Sequence, residues 1–239
     1  MNPVELLEKG SVELGLNLNS NQMDKLLKYK DLLLEWNQKI NITAIEDENE
    51  IITKHFLDSL TGITIPEINT AASIIDVGTG GGFPGIPLGI MLNDTKITLL
   101  DSLNKRIMFL KEVIDQLNLS NFELIHGRAE DFGNNLMYRE KYELCVSRAV
   151  ANLSVLSEYC LPFVKVGGNF VSYKGSDVQD ELDQALNAIK ILGGNFSDIK
   201  LVKIPYTDII HSLIIIKKSR QCPTKYPRKA GKPSKSPLK

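Results

Sequence analysis

The sequence predicts an α/β fold in which a seven-stranded, mostly parallel sheet carries helices on both faces and is preceded by a helical extension. Three observations carry this expectation. Apolar, β-branched segments alternate with segments of helical period from residue 73 to residue 192. A glycine-rich loop (Gly78, Gly80, Gly81, Gly82) directly follows the first of those strands. Two further strand patterns close the series with no helical interval between them, which makes one strand at the end antiparallel.

The elements follow in order. Helices are predicted over 3–18 and 20–40, the second with Ser20 as N-cap and with Met23, Leu26, Leu27, Leu33, Leu34 and Ile40 at roughly helical spacing. Trp36 through Thr43 ends that helix with an aromatic and several amides, which suits either a core Trp with a capped terminus or a substrate contact. A third helix over 47–60 carries Lys54, His55, Asp58 and Ser59, and the three-residue spacing puts His55 and Asp58 on one face. This helical part precedes the glycine loop and is expected to fold over its mouth.

Strand 73–77, helix 84–92, strand 96–101, helix 104–117 and strand 121–126 come next. Strand 142–147, helix 152–160, strand 168–174, helix 178–192 and strands 199–204 and 210–216 complete the series. Seven strands ending this way form the Rossmann-like arrangement of class I methyltransferases. The expected organisation is a helical extension over 1–65, a ligand-binding α/β domain over 66–218 and a basic, Pro-rich, extended tail over 219–239.

The loop narrows the ligand. Ile74 and Ile75 read as a strand buried on both faces, Asp76 closes it, and Pro84 suits a first helical turn. Gly80, Gly82 and Gly85 match G-x-G-x-x-G, a pattern too permissive to specify a dinucleotide. A pyrophosphate prefers a helix N-terminus without a neighbouring carboxylate. Asp76 argues against it and for a cationic ligand without phosphate, such as S-adenosylmethionine.

Composition bounds the remainder. No apolar run approaches the length of a membrane span, and the first residues do not read as a signal peptide. Cys145, Cys160 and Cys222 are too scattered for a disulfide framework or zinc site, so a cytoplasmic, metal-free protein is expected. No strand edge or apolar stripe demands a partner, and a monomer is expected. From Lys217 to Lys239 there are nine Lys or Arg and no acid, leaving 19 basic against 29 acidic residues in the body. A basic end on an acidic body points to a polyanionic partner.

Candidate chemistry sits at the strand ends. Asp101 closes the second strand, where an acid hydrogen-bonds ribose hydroxyls in doubly wound folds. Gly127-Arg128-Ala129-Glu130-Asp131 follows the third strand and would border the adenine, with Glu130 and Asp131 both able to read its amine. Arg148, after the fourth strand, is a planar cationic fork suited to phosphate, carboxylate or a base edge. The fourth strand lacks an Asn/Asp-Pro-Pro-aromatic set for an exocyclic amine. It also lacks a Pro-Cys pair for attack on a pyrimidine carbon, since Cys222 lies in the tail. An acceptor that needs no general base, such as nitrogen 7 of guanine, fits this pattern, with His55, Asp58 and Arg148 as positioning residues. Lys174 ends the fifth strand on the same rim. Tyr226, Arg228 and Lys229 combine an aromatic with cations, as RNA contacts do.

These residues together resemble a known family, the ribosomal RNA small subunit methyltransferase G, also called glucose-inhibited division protein B. The resemblance runs through Trp36-Asn37 to Asn41-Ile42-Thr43, His55 to Leu60, and Asp76-Val77-Gly78 to Gly82-Phe83-Pro84-Gly85-Ile86-Pro87. It continues through Leu100-Asp101-Ser102, Arg128-Ala129-Glu130, Ser147-Arg148-Ala149-Val150-Ala151, Lys174-Gly175 and Tyr226-Pro227-Arg228-Lys229-Ala230-Gly231. It implies methylation of nitrogen 7 of one guanine in bacterial 16S ribosomal RNA, on free RNA or on the small subunit, with S-adenosylmethionine as methyl donor. It also implies cofactor contacts at Gly78, Phe83, Ala129, Glu130 and Arg148, which moves Arg148 from the acceptor to the cofactor. Gly80 and Asp101 join that set from the loop and strand-end reading.

Overall fold

The computed structural model describes residues 1–148 and 151–239. Its strands are β1 (Ser73–Val77), β2 (Lys96–Asp101), β3 (Phe122–His126), β4 (Tyr142–Ser147), β5 (Val164–Lys174), β6 (Gly194–Lys203) and β7 (Ile210–Lys218). They form one sheet in the order β3-β2-β1-β4-β5-β7-β6. Strands β1 to β5 are parallel, and β7 runs antiparallel between β5 and β6. The winding direction reverses between β1 and β4, which opens a crevice at their carboxyl ends.

The helices before the sheet are α1 (Pro3–Glu13), α2 (Ser20–Asn37), α3 (Glu48–Ile51), α4 (Asp58–Leu60) and α5 (Pro66–Asn69). Between strands lie α6 (Gly85–Met91), α7 (Asn104–Gln116), α8 (Ala129–Phe132), α9 (Leu153–Cys160) and α10 (Gln179–Ile191), and α11 (Lys232–Lys235) sits in the tail. Sheet residues alternate between two cores. Ile74, Leu99, Leu144, Val171 and Leu213 pack with the N-terminal helices, α6 and α7. Their chain neighbours Ile75, Leu100, Cys145, Phe170 and Ile214 pack with α9 and α10. Leu7, Leu26 and Leu33 of the first two helices belong to the same core as the sheet.

Boundaries differ from expectation where polar contacts intervene. Helix α1 stops early because Gly15 takes φ +76° and turns the chain. Asn19, not Ser20, caps α2: its Oδ1 accepts from Gln22 N (2.9 Å) while Gln22 Oε1 accepts from Asn19 N (3.0 Å). Helix α2 ends at Asn37, whose Oδ1 accepts from Ile42 N (2.9 Å) and Thr43 N (3.0 Å) and folds the chain back. The third helix is not regular: Ile52–Leu57 is wound as a π-helix between α3 and α4. Strand β6 begins at Gly194, ahead of the expected 199, because its exposed polar residues hide it from an apolar pattern.

The tail is not extended. Cys222, Tyr226 and Pro233 are buried against the α9 side of the sheet. The Arg139 guanidinium donates to the carbonyls of Cys222 (2.7 Å), Tyr226 (2.8 Å) and Gly133 (2.8 Å), and Asn134 Nδ2 donates to Pro227 O (3.0 Å).

Candidate active site

The glycine loop is shaped from below. Asp76, fully buried at the end of β1, accepts through Oδ2 from Thr79 Oγ1 (2.7 Å) and Gly85 N (2.8 Å). Its Oδ1 is buried with no hydrogen-bond partner among the described residues. Asp76 therefore braces the loop and does not line the crevice, which corrects the expectation that it faces a ligand cation. The Tyr29 hydroxyl donates to Gly81 O, and the Tyr29 ring stacks with Phe56 (5.2 Å) and Phe83 (5.4 Å). Gly82 has φ +97°, and a Cβ there would stand 2.6 Å from Tyr29 Oη, so only glycine fits.

Above the loop the crevice has two compartments. One, of about 290 Å³, is walled by Val77, Leu100, Ala129, Glu130 and Leu156. The other, of about 600 Å³, is lined by Gly80, Phe83, His55, Asp58, Arg148 and His211. They meet at Gly78, Asp101 and Ser102. Gly80 has φ +62° and open space at its Cβ position, with Gly78 O the nearest atom at 4.0 Å.

Asp101 joins the two halves. Its Oδ2 accepts from Gly80 N (2.9 Å) and Arg106 Nη1 (3.2 Å), and its Oδ1 accepts from Leu103 N (2.9 Å). Glu130 and Asp131, equivalent in the sequence, point apart. Glu130 is buried at the smaller compartment, whereas Asp131 is exposed and outside it. Glu130 Oε1 accepts from Gly231 N of the tail (2.9 Å).

Arg148 organises the larger compartment. Its Nη1 donates to Asp58 Oδ2 (2.5 Å) and Lys54 O (3.1 Å), and its Nη2 lies 3.2 Å from His55 Nδ1. A guanidinium can only donate, so His55 Nδ1 is an acceptor and the ring proton sits on Nε2, which faces Thr43 Oγ1 at 2.8 Å. His55 and Asp58 share a face as expected, yet each bonds Arg148 rather than the other. His55 also stacks on Phe83 (4.5 Å, 16°), and the guanidinium lies 5.2 Å from the Phe83 centroid. The other Asp58 oxygen faces His211 Nδ1 at 2.7 Å. His211 is absent from the sequence reading; a single imidazole interrupting the Ile209–Ile216 run was its only signal. Ala149 and Val150, in the motif around Arg148, lie outside the described residues.

The expected RNA contacts need correction. Tyr226 is 7% exposed and packs in the α9-side core. Arg228 is committed to Glu158 through Nε (2.8 Å) and Nη2 (2.6 Å). Lys174 Nζ is spent on Ala151 O (2.6 Å) and Glu181 (2.7 Å). Lys229 alone of the four is exposed. An aromatic among cations signals a packed anchor here, because Glu158 offers Arg228 a buried partner.

A family model described as GidB, rRNA small subunit methyltransferase G, matches residues 22–210. The chain belongs to this family. It is 53% identical to ribosomal RNA small subunit methyltransferase G of Alkaliphilus metalliredigens, covering 98% of both chains. Its identity to the corresponding protein of Acetivibrio thermocellus is also 53%, covering 98% of this chain and 96% of that one. In fold it resembles precorrin-6y C5,15-methyltransferase of Geobacter metallireducens, with a TM-score of 0.51 at 14% identity over 66% of this chain and 87% of that one. The class I methyltransferase fold expected for this methyltransferase is thus established. Among the described residues of this GidB-family chain, no helix is long and apolar enough to cross a membrane. None of its described His, Cys, Asp and Glu residues gather in a group of three or more that could hold a metal ion.

Two titrating groups in this family member oppose one another. Burial, with Arg148 beside it, lowers His55 from 6.5 to about 4. The unfolded chain then binds the proton first, so stability from His55 is full above about pH 6.5 and is lost as pH falls toward 4. Burial raises Asp76 from 3.8 to about 7. The folded chain then binds the proton first, and stability declines as pH rises from about 4 to 7. Each effect is worth about 3–4 kcal/mol, so they nearly cancel. Asp76→Asn is expected to expose a stability that rises from pH 4 to 6.5, and His55→Ala one that falls from pH 4 to 7. Urea midpoints across that range check this, and slopes of the same sign in both variants would refute it.

Proposed function

We propose that this chain transfers the methyl group of S-adenosylmethionine to nitrogen 7 of one guanine in 16S ribosomal RNA. The observation that carries the reading is the two-part crevice at the carboxyl ends of β1, β2 and β4, joined at Gly78, Asp101 and Ser102. The smaller part, apolar at Val77, Leu100 and Leu156 with Asp101 at its edge, suits a base and ribose. The larger part suits the amino-acid end and the acceptor, and the missing Cβ of Gly80 leaves room for a ligand against the backbone. Bound S-adenosylmethionine supplies an electrophilic methyl group on a sulfonium.

The residues then take the following roles. Gly78, Gly80 and Phe83 line the amino-acid side, Asp101 the ribose, and Ala129 and Glu130 the base. Arg148, fixed by Asp58, His55 and Lys54 O, forms the wall between cofactor and acceptor. Among Arg148, His55 and Asp58, no side chain has a site left to take a proton. His55 is neutral with Nδ1 facing Arg148, and both Asp58 oxygens are engaged. A guanine N7 already presents its lone pair, so alignment, worth roughly 7–11 kcal/mol, is what the chain contributes. The name of its relatives, ribosomal RNA small subunit methyltransferase G, supports ribosomal RNA of the small subunit as the acceptor.

Methyl transfer from labelled S-adenosylmethionine to small subunits and to free 16S RNA, both from cells lacking the enzyme, tests the reading. Label confined to one guanine that then cleaves as N7-methylguanine is expected. No label on either, with cofactor bound, would refute the assigned acceptor. Gly80→Asp gives a second test. Asp tolerates φ > 0, so the fold persists, while its side chain enters the crevice. S-adenosylmethionine affinity is expected to fall about 100-fold, near 2.7 kcal/mol. Calorimetric titration showing normal affinity would remove the loop from the site.

A further inference from the structure

The tail reaches the smaller compartment. Gly231 and Ser234 line that space together with Val77, Leu100, Ala129, Glu130 and Tyr159. Two contacts hold them there: Gly231 N donates to Glu130 Oε1 (2.9 Å), and Ser234 Oγ lies 2.8 Å from Tyr159 Oη. Gly231 takes φ +78° with open space where a Cβ would be, and it turns the chain into α11. Upstream, the Arg139 cage and the Arg228–Glu158 pair fix the segment firmly, so its path past the crevice is set before residue 231. The basic side chains of Lys229, Lys232 and Lys235 are exposed.

From this we infer that Gly231–Ser234 is part of the adenosine-binding site, so that the C-terminal segment closes the crevice over the nucleoside and cofactor affinity depends on it. The inference rests on the reading of the crevice as the S-adenosylmethionine site. It goes beyond the loop and strand-end residues by adding a wall from the far end of the chain. Glu130 then serves the base indirectly as well, since its carboxylate holds the tail backbone in place. A nucleoside seated between Leu100, Leu156 and Gly231 would stabilise tail docking, and a docked tail would strengthen nucleoside binding by the same factor.

The test compares the full chain with one ending at Ala230, which keeps the Arg228–Glu158 pair and removes the wall. Calorimetric titration with S-adenosylhomocysteine and with adenosine is expected to show both weakened about 10-fold by the truncation. The unliganded melting temperature should fall modestly, because buried Pro233 and the Gly231 N contact to Glu130 are lost. In the full chain, S-adenosylhomocysteine is expected to slow tryptic cleavage after Lys229 and Lys235. Equal affinities for both chains would overturn the inference while leaving the crevice assignment intact. No binding to the full chain would instead overturn the crevice assignment and the inference with it. Should the shortened chain melt early, Ser234→Phe carries the test in the intact protein by crowding the same wall. Affinity within twofold of the full chain would then overturn the inference.

Discussion

Replacing Arg148 by alanine is expected to lower stability by about 3–5 kcal/mol and to remove detectable methyl transfer. The stability loss has a specific origin. Asp58, with a side chain only 1% exposed, would lose its ion pair and keep a charge that only His211 faces. His55 would lose the donor to Nδ1, and Phe83 the cation beside its ring. Arg148→Lys should recover part of the stability, because a positive charge returns. It should recover little activity, because an ammonium cannot serve Asp58, Lys54 O and His55 as a fork does. Adding Asp58→Asn to Arg148→Ala should restore stability without activity. Urea unfolding and methyl-transfer assays on these three variants and the parent chain separate the two roles; full activity in Arg148→Lys would reduce Arg148 to a charge.

A loss of similar size is expected for Arg228→Ala. Glu158 is fully buried and accepts four hydrogen bonds from Arg228, one from its backbone N and three from its guanidinium. Alanine removes the latter three and leaves a carboxylate in the α9-side core, at a cost of about 3–5 kcal/mol. The paired change Arg228→Leu with Glu158→Met should recover most of it, since an apolar pair can replace a buried ion pair. If Arg228 instead served RNA, alanine would weaken RNA binding and leave the urea midpoint alone.

The fold was legible because parallel strands buried on both faces write continuous apolar segments, as in Ile74-Ile75 and Leu99-Leu100. The glycine loop and Asp101 were legible because a sharp strand-to-helix turn restricts residue type. What escaped was set by tertiary contact. Nothing local in Ile52–Leu57 announces a π winding, and its reason is remote. Asp58 N turns to Thr53 O and His55 O, leaving Lys54 O for Arg148, ninety-four residues away. Tyr29 looks like any core aromatic until its hydroxyl is seen on Gly81 O. The tail misled because composition records charge but not the partner that absorbs it. Glu158 lies seventy residues upstream of Arg228, in an otherwise apolar helical pattern.

That separation also has a meaning in time. Synthesis runs from the amino end at roughly 5–20 residues per second, so Glu158 is made about 4–14 s before Arg228. Through that interval the helix carrying it has a carboxylate to bury and no cation to bury it with. The sheet can assemble as its strands emerge, but the α9-side layer can settle only once Arg228 has emerged as well. Arg228 thus completes the α9 side, and a chain that stops short of it lacks the partner that side requires.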